Sequence, residues 1–229
     1  MRANSTAFAP AWNAALINWV QLAGLVAILL SYIVLLTLNP TTAQRFAVED
    51  GPIENLGAAF SLFAAYLFLL CYLRSAGGAN QFFGRETKRN VWFLALSLLM
   101  LVCFGEEISW GQRIFGWGTP AALKEMNAQG EFNVHKLWLF QAKHPDGAQK
   151  SHLELMLNAN RLYAIFWLVY CVLVPLAVMS SPRMARLAAY LGIPLPSLAI
   201  GGLFLANFLV FRLIVGLGEL DRATVSAFD

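Results

Sequence analysis

The sequence predicts an all-α polytopic membrane protein, a single domain of about five transmembrane helices with an interfacial helical loop on its outer side. Three observations carry this. Of 229 residues, 59% are hydrophobic and only 13% charged, with a mean hydropathy of +0.60; a soluble domain carries roughly 45–50% apolar and about 25% charged residues. Five apolar runs approach the roughly 20 residues that cross a bilayer. The charges between those runs are sorted by sign. The same figures exclude disordered, collagen-like and coiled-coil classes. No basic stripe or RNA-binding aromatic motif is present, so no nucleic-acid partner is expected.

The predicted spans run near 15–38, 55–73, 91–108, 162–180 and 197–217. The first is longer than a signal-peptide core and has no small-x-small cleavage site behind it, so it reads as a retained anchor. Cys71, Cys103 and Cys171 all fall inside apolar runs, without CxxC or Cys/His finger spacing. They are expected to be buried small apolar residues rather than disulfide or zinc-finger ligands.

Orientation follows from the basic loops. Arg74, Arg85, Lys88 and Arg89 follow span two against one acid, Glu86, and Arg183 and Arg186 follow span four with none. Positive loops stay cytoplasmic, which places the N-terminus inside and the C-terminus outside in a cell membrane. Of the 13 acids only Glu86 is then cytoplasmic, while His135, His144 and His152 all lie outside. The cytoplasmic side reads as short basic turns, and any site belongs at the outer boundary.

Four segments carry candidate chemistry. Around Gly51-Pro52 a turn lets Glu49, Asp50 and Glu54 converge; the plainer reading is an acidic loop in which Asp50 or Asn55 caps span two. Span three ends in Glu106-Glu107 after fifteen nearly unbroken apolar residues, about 24 Å into a core roughly 30 Å thick. Carboxylates at that depth face a bundle interior or watery cavity. Arg113 stands close to two turns beyond Glu106; the alternative is a helix end that pairs with Arg113 and is anchored by Trp110.

The outer loop 109–160 is the third segment. Thr119-Pro120 reads as a helix start with Thr119 as cap, and Gly130 as its end. The stretch 131–140 reads as an amphipathic interfacial helix, in which Glu131 and His135, four apart, share a face as metal ligands or as a carboxylate orienting an imidazole. Asn133 lies between them as a substrate-binding candidate. His144-Pro145-Asp146-Gly147 reads as an exposed turn, and Ser151-His152-Leu153-Glu154 as a capping box. His152, in that first turn, has no fixed direction, and Asn158, Asn160 and Arg161 follow at the boundary. The fourth segment holds Asn207 and Arg212 in span five, then Glu219 and Asp221. Arg212 needs a carboxylate partner such as Glu54, Glu106 or Glu107, or must snorkel.

Two glutamates at a span end, followed by histidines and asparagines, resemble the glutamate-type intramembrane proteases of the CAAX-processing kind. That family places an Arg four residues after the second Glu, then Phe and His four apart, then His and Asn four apart. Here Glu106-Glu107 matches. The Arg position is Gly111, Phe132 and His135 are three apart, and His152 and Asn158 are six apart. Serine-hydrolase elbows, phosphate loops and HExxH are absent.

Two functions follow. One is a membrane enzyme that hydrolyses or modifies a lipid, lipid-linked or membrane-peptide substrate. Its catalytic candidates are Glu106, Glu107, His135 and Arg113, with Arg212, Asn133 and Trp110 binding substrate. Glu54, Glu106, Glu131, His135 and His152 would hold a divalent metal (zinc, manganese or iron), which activates water; without metal, a buried glutamate and His135 would serve as base and acid. The other is a non-enzymatic assembly factor or accessory subunit whose charges are interhelical pairs.

Overall fold

The computed structural model describes residues 14–38, 42 and 51–217. The described residues are predominantly helical. Every predicted span is a helix: α1 (Ala14–Thr37), α2 (Pro52–Arg74), α3 (Val91–Glu107), α4 (Ala159–Ser180) and, after the shorter α5 (Pro182–Leu191), α6 (Leu198–Leu217). Their ends lie within three residues of the predicted ones. Two of them, α2 and α4, are long and apolar enough to cross a membrane. Their large side chains point outward: Phe60, Phe63 and Tyr66 of α2, and Tyr163, Phe166 and Val169 of α4, are exposed. A soluble protein rarely displays contiguous apolar surface on that scale. α2 starts at Pro52, whose fixed φ suits a first helical position, so Asn55 lies inside the helix rather than capping it.

The chain divides into two compact units. In one, α1 and α6 meet where the buried Tyr32 donates its hydroxyl to Asn207 Oδ1 at 3.0 Å. Gly201 of α6 lies against the backbone of α4, where an added Cβ would come within 2.3 Å of the Cys171 carbonyl oxygen. α4 widens into a π-helical turn over Leu168–Leu173, and the Tyr170 hydroxyl donates to the Pro194 carbonyl at 2.6 Å. Cys171 is buried as predicted, but Cys103 is half-buried and Cys71 exposed. An apolar helix with one covered side must leave some small residues on the other.

The basic connection after α2 is not a plain turn. Strands β1 (Asn80–Phe82) and β2 (Arg85–Thr87) pair antiparallel across Phe83-Gly84. Both turn residues have positive φ, 50° and 74°, the conformation that matches a two-residue loop to strand twist. The Gly84 amide donates to the Tyr190 carbonyl at 2.7 Å, and Trp92 Nε1 to the Leu191 carbonyl at 2.7 Å, which fastens the hairpin and the start of α3 to α5. α5 ends at Gly192, in the left-handed conformation with its amide on the Ala188 carbonyl, a common helix stop.

The second unit holds Ile53–Cys71 and Phe93–Trp167. Its apolar helices α2 and α3 are joined by the Ser97 hydroxyl, which donates to the Ala65 carbonyl at 2.8 Å, and by the stacked rings of Phe68 and Phe93. The long loop after α3 forms only short helical pieces, at Ser109–Gly111, Gln112–Phe115, Ala121–Met126, Trp138–Phe140 and Glu154–Leu157. The predicted interfacial helix over 131–140 is replaced by turns and that last-but-one 3-10 turn.

Candidate functional site

The site grows from the way α3 stops. After Glu107 the chain enters three consecutive left-handed residues, Ser109 (φ 46°), Trp110 (φ 54°) and Gly111 (φ 78°). Only glycine adopts this region freely, and each other residue there costs about 1–3 kcal/mol. The turn is held by what it brings back onto the helix. Trp110 Nε1 donates to Glu106 Oε1 at 2.7 Å, and the indole lies over Gly105, where a Cβ would stand 3.0 Å from three ring atoms.

A second set of bonds carries the long loop to the same point. Gln112 spans it, donating to Thr119 Oγ1 at 2.8 Å and accepting the Phe132 amide at 2.9 Å. Thr119 is therefore engaged with Gln112 rather than capping a helix, and the helix starts after Pro120. The helix ends at Met126 rather than Gly130; Gly130 instead closes the following turn with its amide on the Asn127 carbonyl. The buried Asn127 side chain donates to the Asn133 carbonyl and to Asn133 Oδ1, and accepts the Gln129 amide, all within 2.7–2.8 Å. Ser109 Oγ donates to Glu131 Oε2 at 2.5 Å and receives Asn133 Nδ2 at 3.2 Å.

These bonds fix residues 131–135 against the end of α3. Glu106 Oε2 then accepts the amides of Val134 (2.6 Å) and His135 (2.9 Å), and meets His135 Nδ1 at 3.2 Å. The Glu106 side chain is 12% exposed and that of His135 30%. A carboxylate given three N–H donors and an imidazole is fixed as an anion in position, and it sets the imidazole's orientation. Among the described residues, His135 Nε2 has no hydrogen-bond partner, and neither has the half-buried Glu107 carboxylate.

The predicted residues sort as follows. Glu106, Trp110 and His135 come together, with Glu107 beside them. The expected pairing of Glu131 with His135 does not form, because the segment is not helical: Glu131 is turned to Ser109 and His135 to Glu106. Asn133, 3% exposed, is bonded internally to Asn127 and Ser109 and locks the loop. Arg113 lies in the turn Gln112–Phe115, and its side chain is outside the described residues. His152 is exposed, while Arg212 is exposed in the other unit and has no ion pair among the described residues. Asn207 bonds Tyr32. Glu49, Asp50, Glu219 and Asp221 lie outside the described residues. Among the described residues no three His, Cys, Asp or Glu side chains are gathered to hold a metal ion.

Sequence reasoning missed Asn127 and Gln112. Asn127 had a local signal, an asparagine three residues before a glycine after a helix-forming run. Asn127→Ala should lower the unfolding free energy by about 2–3 kcal/mol, because it leaves the buried Asn133 amide oxygen without its donor; denaturation of purified protein in detergent measures it.

Two loop predictions hold. His144–Gly147 is a turn, with the Gly147 amide on the His144 carbonyl at 2.9 Å. Glu154 completes the capping box, accepting the Ser151 amide at 2.9 Å and hydroxyl at 2.7 Å. Asn158 caps α4, its Oδ1 accepting the Arg161 amide at 3.3 Å. The Ser151 bonds hold the Glu154 carboxyl below the usual range. A lowered folded-state pKa gives a contribution that is complete above the ordinary glutamate value and lost as pH falls through the lowered one. Protection of the Ser151 amide from hydrogen exchange should therefore persist at neutral pH and disappear only in acid, and Glu154→Gln should remove that pH dependence.

No family model, curated protein or solved structure matches this chain. What fold and site define is an all-α chain with helices of membrane-crossing length and a carboxylate–imidazole pair at the end of one apolar helix.

Proposed function

We propose that this chain is a multi-pass membrane enzyme that performs general acid–base chemistry on a lipid, lipid-linked or membrane-embedded peptide substrate. In this reading α1, α2, α3, α4 and α6 are five spans, with the N-terminus cytoplasmic, the C-terminus outside and Glu106–His135 at the outer boundary. The observation that carries it is the 3.2 Å contact between Glu106 Oε2 and His135 Nδ1, held by a strained turn at the end of an apolar helix. A carboxylate on Nδ1 favours the tautomer that leaves Nε2 as the proton acceptor. Nε2 then takes a proton from water as the oxygen attacks the substrate, and returns it to the leaving group. Glu107, the other catalytic candidate, supplies a second carboxyl group beside the pair in this reading.

Carboxylate-held imidazoles also serve as metal ligands, so a zinc, manganese or iron ion on Nε2 is the variant of this reading that needs further ligands. The second reading is an assembly factor or accessory subunit. It is favoured by the Ser109–Glu131–Asn133–Asn127 network, whose bonds hold the loop rigidly enough to serve as a docking surface.

The test compares lipid and membrane-peptide extracts from a deletion strain carrying wild type, Glu106→Gln or His135→Gln, together with the metal content of each purified protein. A species consumed only with wild type, at equal protein levels, is the expected result. Identical extracts from all strains sink the enzyme reading; stoichiometric metal lost in His135→Gln moves His135 to a ligand. Reporter fusions at Arg85 and Ala142 should report opposite sides of the membrane, and a shared side overturns the topology.

A further inference from the structure

The hairpin module carries a second candidate site, independent of the Glu106–His135 chemistry and dependent only on α2 and α3 reaching a membrane. Arg74, Arg85, Lys88, Arg89, Arg183 and Arg186 stand on this module with one acid, Glu86, and none of the six has an ion pair among the described residues. Cations without ion pairs on one small module are a standing attraction for an anion.

Two of them line a cleft. Tyr72, Ala76, Thr87, Lys88, Arg89 and Val91 enclose about 430 Å³ of open space between the end of α2 and the start of α3. The Arg89 guanidinium lies over the Tyr72 ring, 5.4 Å from its centre. Stacking of this kind holds the cation's position while its edge N–H groups stay available. The Thr87 hydroxyl donates to the Arg89 carbonyl at 2.8 Å, which fixes the backbone between the two cations. Ala76 and Val91 supply apolar wall where the strand module gives way to apolar helix. The cleft thus has cations beside the beginning of hydrocarbon-facing surface.

We propose that this cleft binds the phosphate of an anionic phospholipid headgroup, on Lys88 and Arg89, with the first acyl carbons against Ala76 and Val91. A free phosphate would satisfy the two cations but leave the apolar wall unused.

The test uses the full chain in a neutral detergent, titrated with phosphatidylglycerol, with phosphatidylcholine and with inorganic phosphate. The readouts are thermal midpoint and lipid retained through gel filtration. Phosphatidylglycerol should raise the midpoint and be retained, and the other two should not. The Lys88→Gln/Arg89→Gln variant should keep the wild-type midpoint without lipid and bind phosphatidylglycerol roughly thirtyfold more weakly, at about 1 kcal/mol per surface cation. Should that variant misfold, Tyr72→Leu, which removes only the stacking ring, should weaken binding in the same direction. Equal response to phosphatidylcholine, full response to inorganic phosphate, or unchanged binding by both variants overturns the proposal.

Discussion

Glu106→Ala should be the most damaging single change in the second unit, lowering its unfolding free energy by several kcal/mol and, on the proposed acid–base function, abolishing activity. The carboxylate accepts the amides of Val134 and His135, His135 Nδ1 and Trp110 Nε1. Alanine leaves those donors with only what water can reach, and a donor stranded in a part-buried position costs about 1–3 kcal/mol. It also removes the bond that offsets the strain at Ser109 and Trp110. Glu106→Gln separates fold from chemistry. Glutamine keeps one acceptor oxygen, so much of the loop's anchorage survives, but its amide nitrogen cannot accept from the opposing donors, and the anion that sets the imidazole tautomer is gone. The expected pattern is a moderate fall in thermal midpoint for glutamine, a large one for alanine, and loss of turnover in both. Turnover retained in Glu106→Gln would remove the carboxylate from the mechanism.

Gly192→Ala should have a comparable effect on the other unit. The residue has φ 72°, and a Cβ there would fall 1.7 Å from the Gln81 carbonyl oxygen, a backbone atom that cannot swing away. Its own carbonyl receives Asn90 Nδ2 at 3.1 Å. Relief requires β1 to move off the end of α5, which breaks the Gly84–Tyr190 and Trp92–Leu191 bonds as well. A loss of more than about 3 kcal/mol is expected. Gly116→Ala is the control: it shares a positive φ (71°) but a Cβ there meets nothing within 4 Å, so only about 1 kcal/mol of backbone strain is expected. Equal midpoints for the two variants, by thermal denaturation in detergent, would refute the steric account.

What the sequence made legible was whatever short-range chemistry decides. The five apolar runs became five helices, and the Ser151–Glu154 box and the His144 turn formed as their local spacing requires. The site was half legible. Glu106, Trp110 and His135 could be singled out because charge deep in an apolar run is costly and a tryptophan at a helix end is informative. The pairing was not legible. Helical spacing assigned His135 to Glu131, whereas the loop is shaped by Asn127, Gln112 and Ser109, whose bonds join residues up to 24 apart. Such bonds leave no periodic trace. The hairpin was missed for a related reason: Phe-Phe-Gly does not announce a two-residue turn as Asn-Gly does, and its stability comes from docking on α5.

The left-handed run at the end of α3 has a stereochemical consequence. For Ser109 and Trp110 the penalty comes from the chirality of Cα, which brings Cβ against the neighbouring carbonyl. Inverting that centre removes the clash, but it exchanges the places of Cβ and Hα and so turns the indole away from Glu106 or the hydroxyl away from Glu131. In a semisynthetic chain, D-serine at 109 would therefore relax the backbone and give up the hydroxyl's bonds to Glu131 and Asn133. Among the described residues, Phe83, Ser109 and Trp110 are the non-glycine positions where translation's single enantiomer is the wrong hand for the backbone, and at 109 and 110 the side chain's bonds are what keep it there.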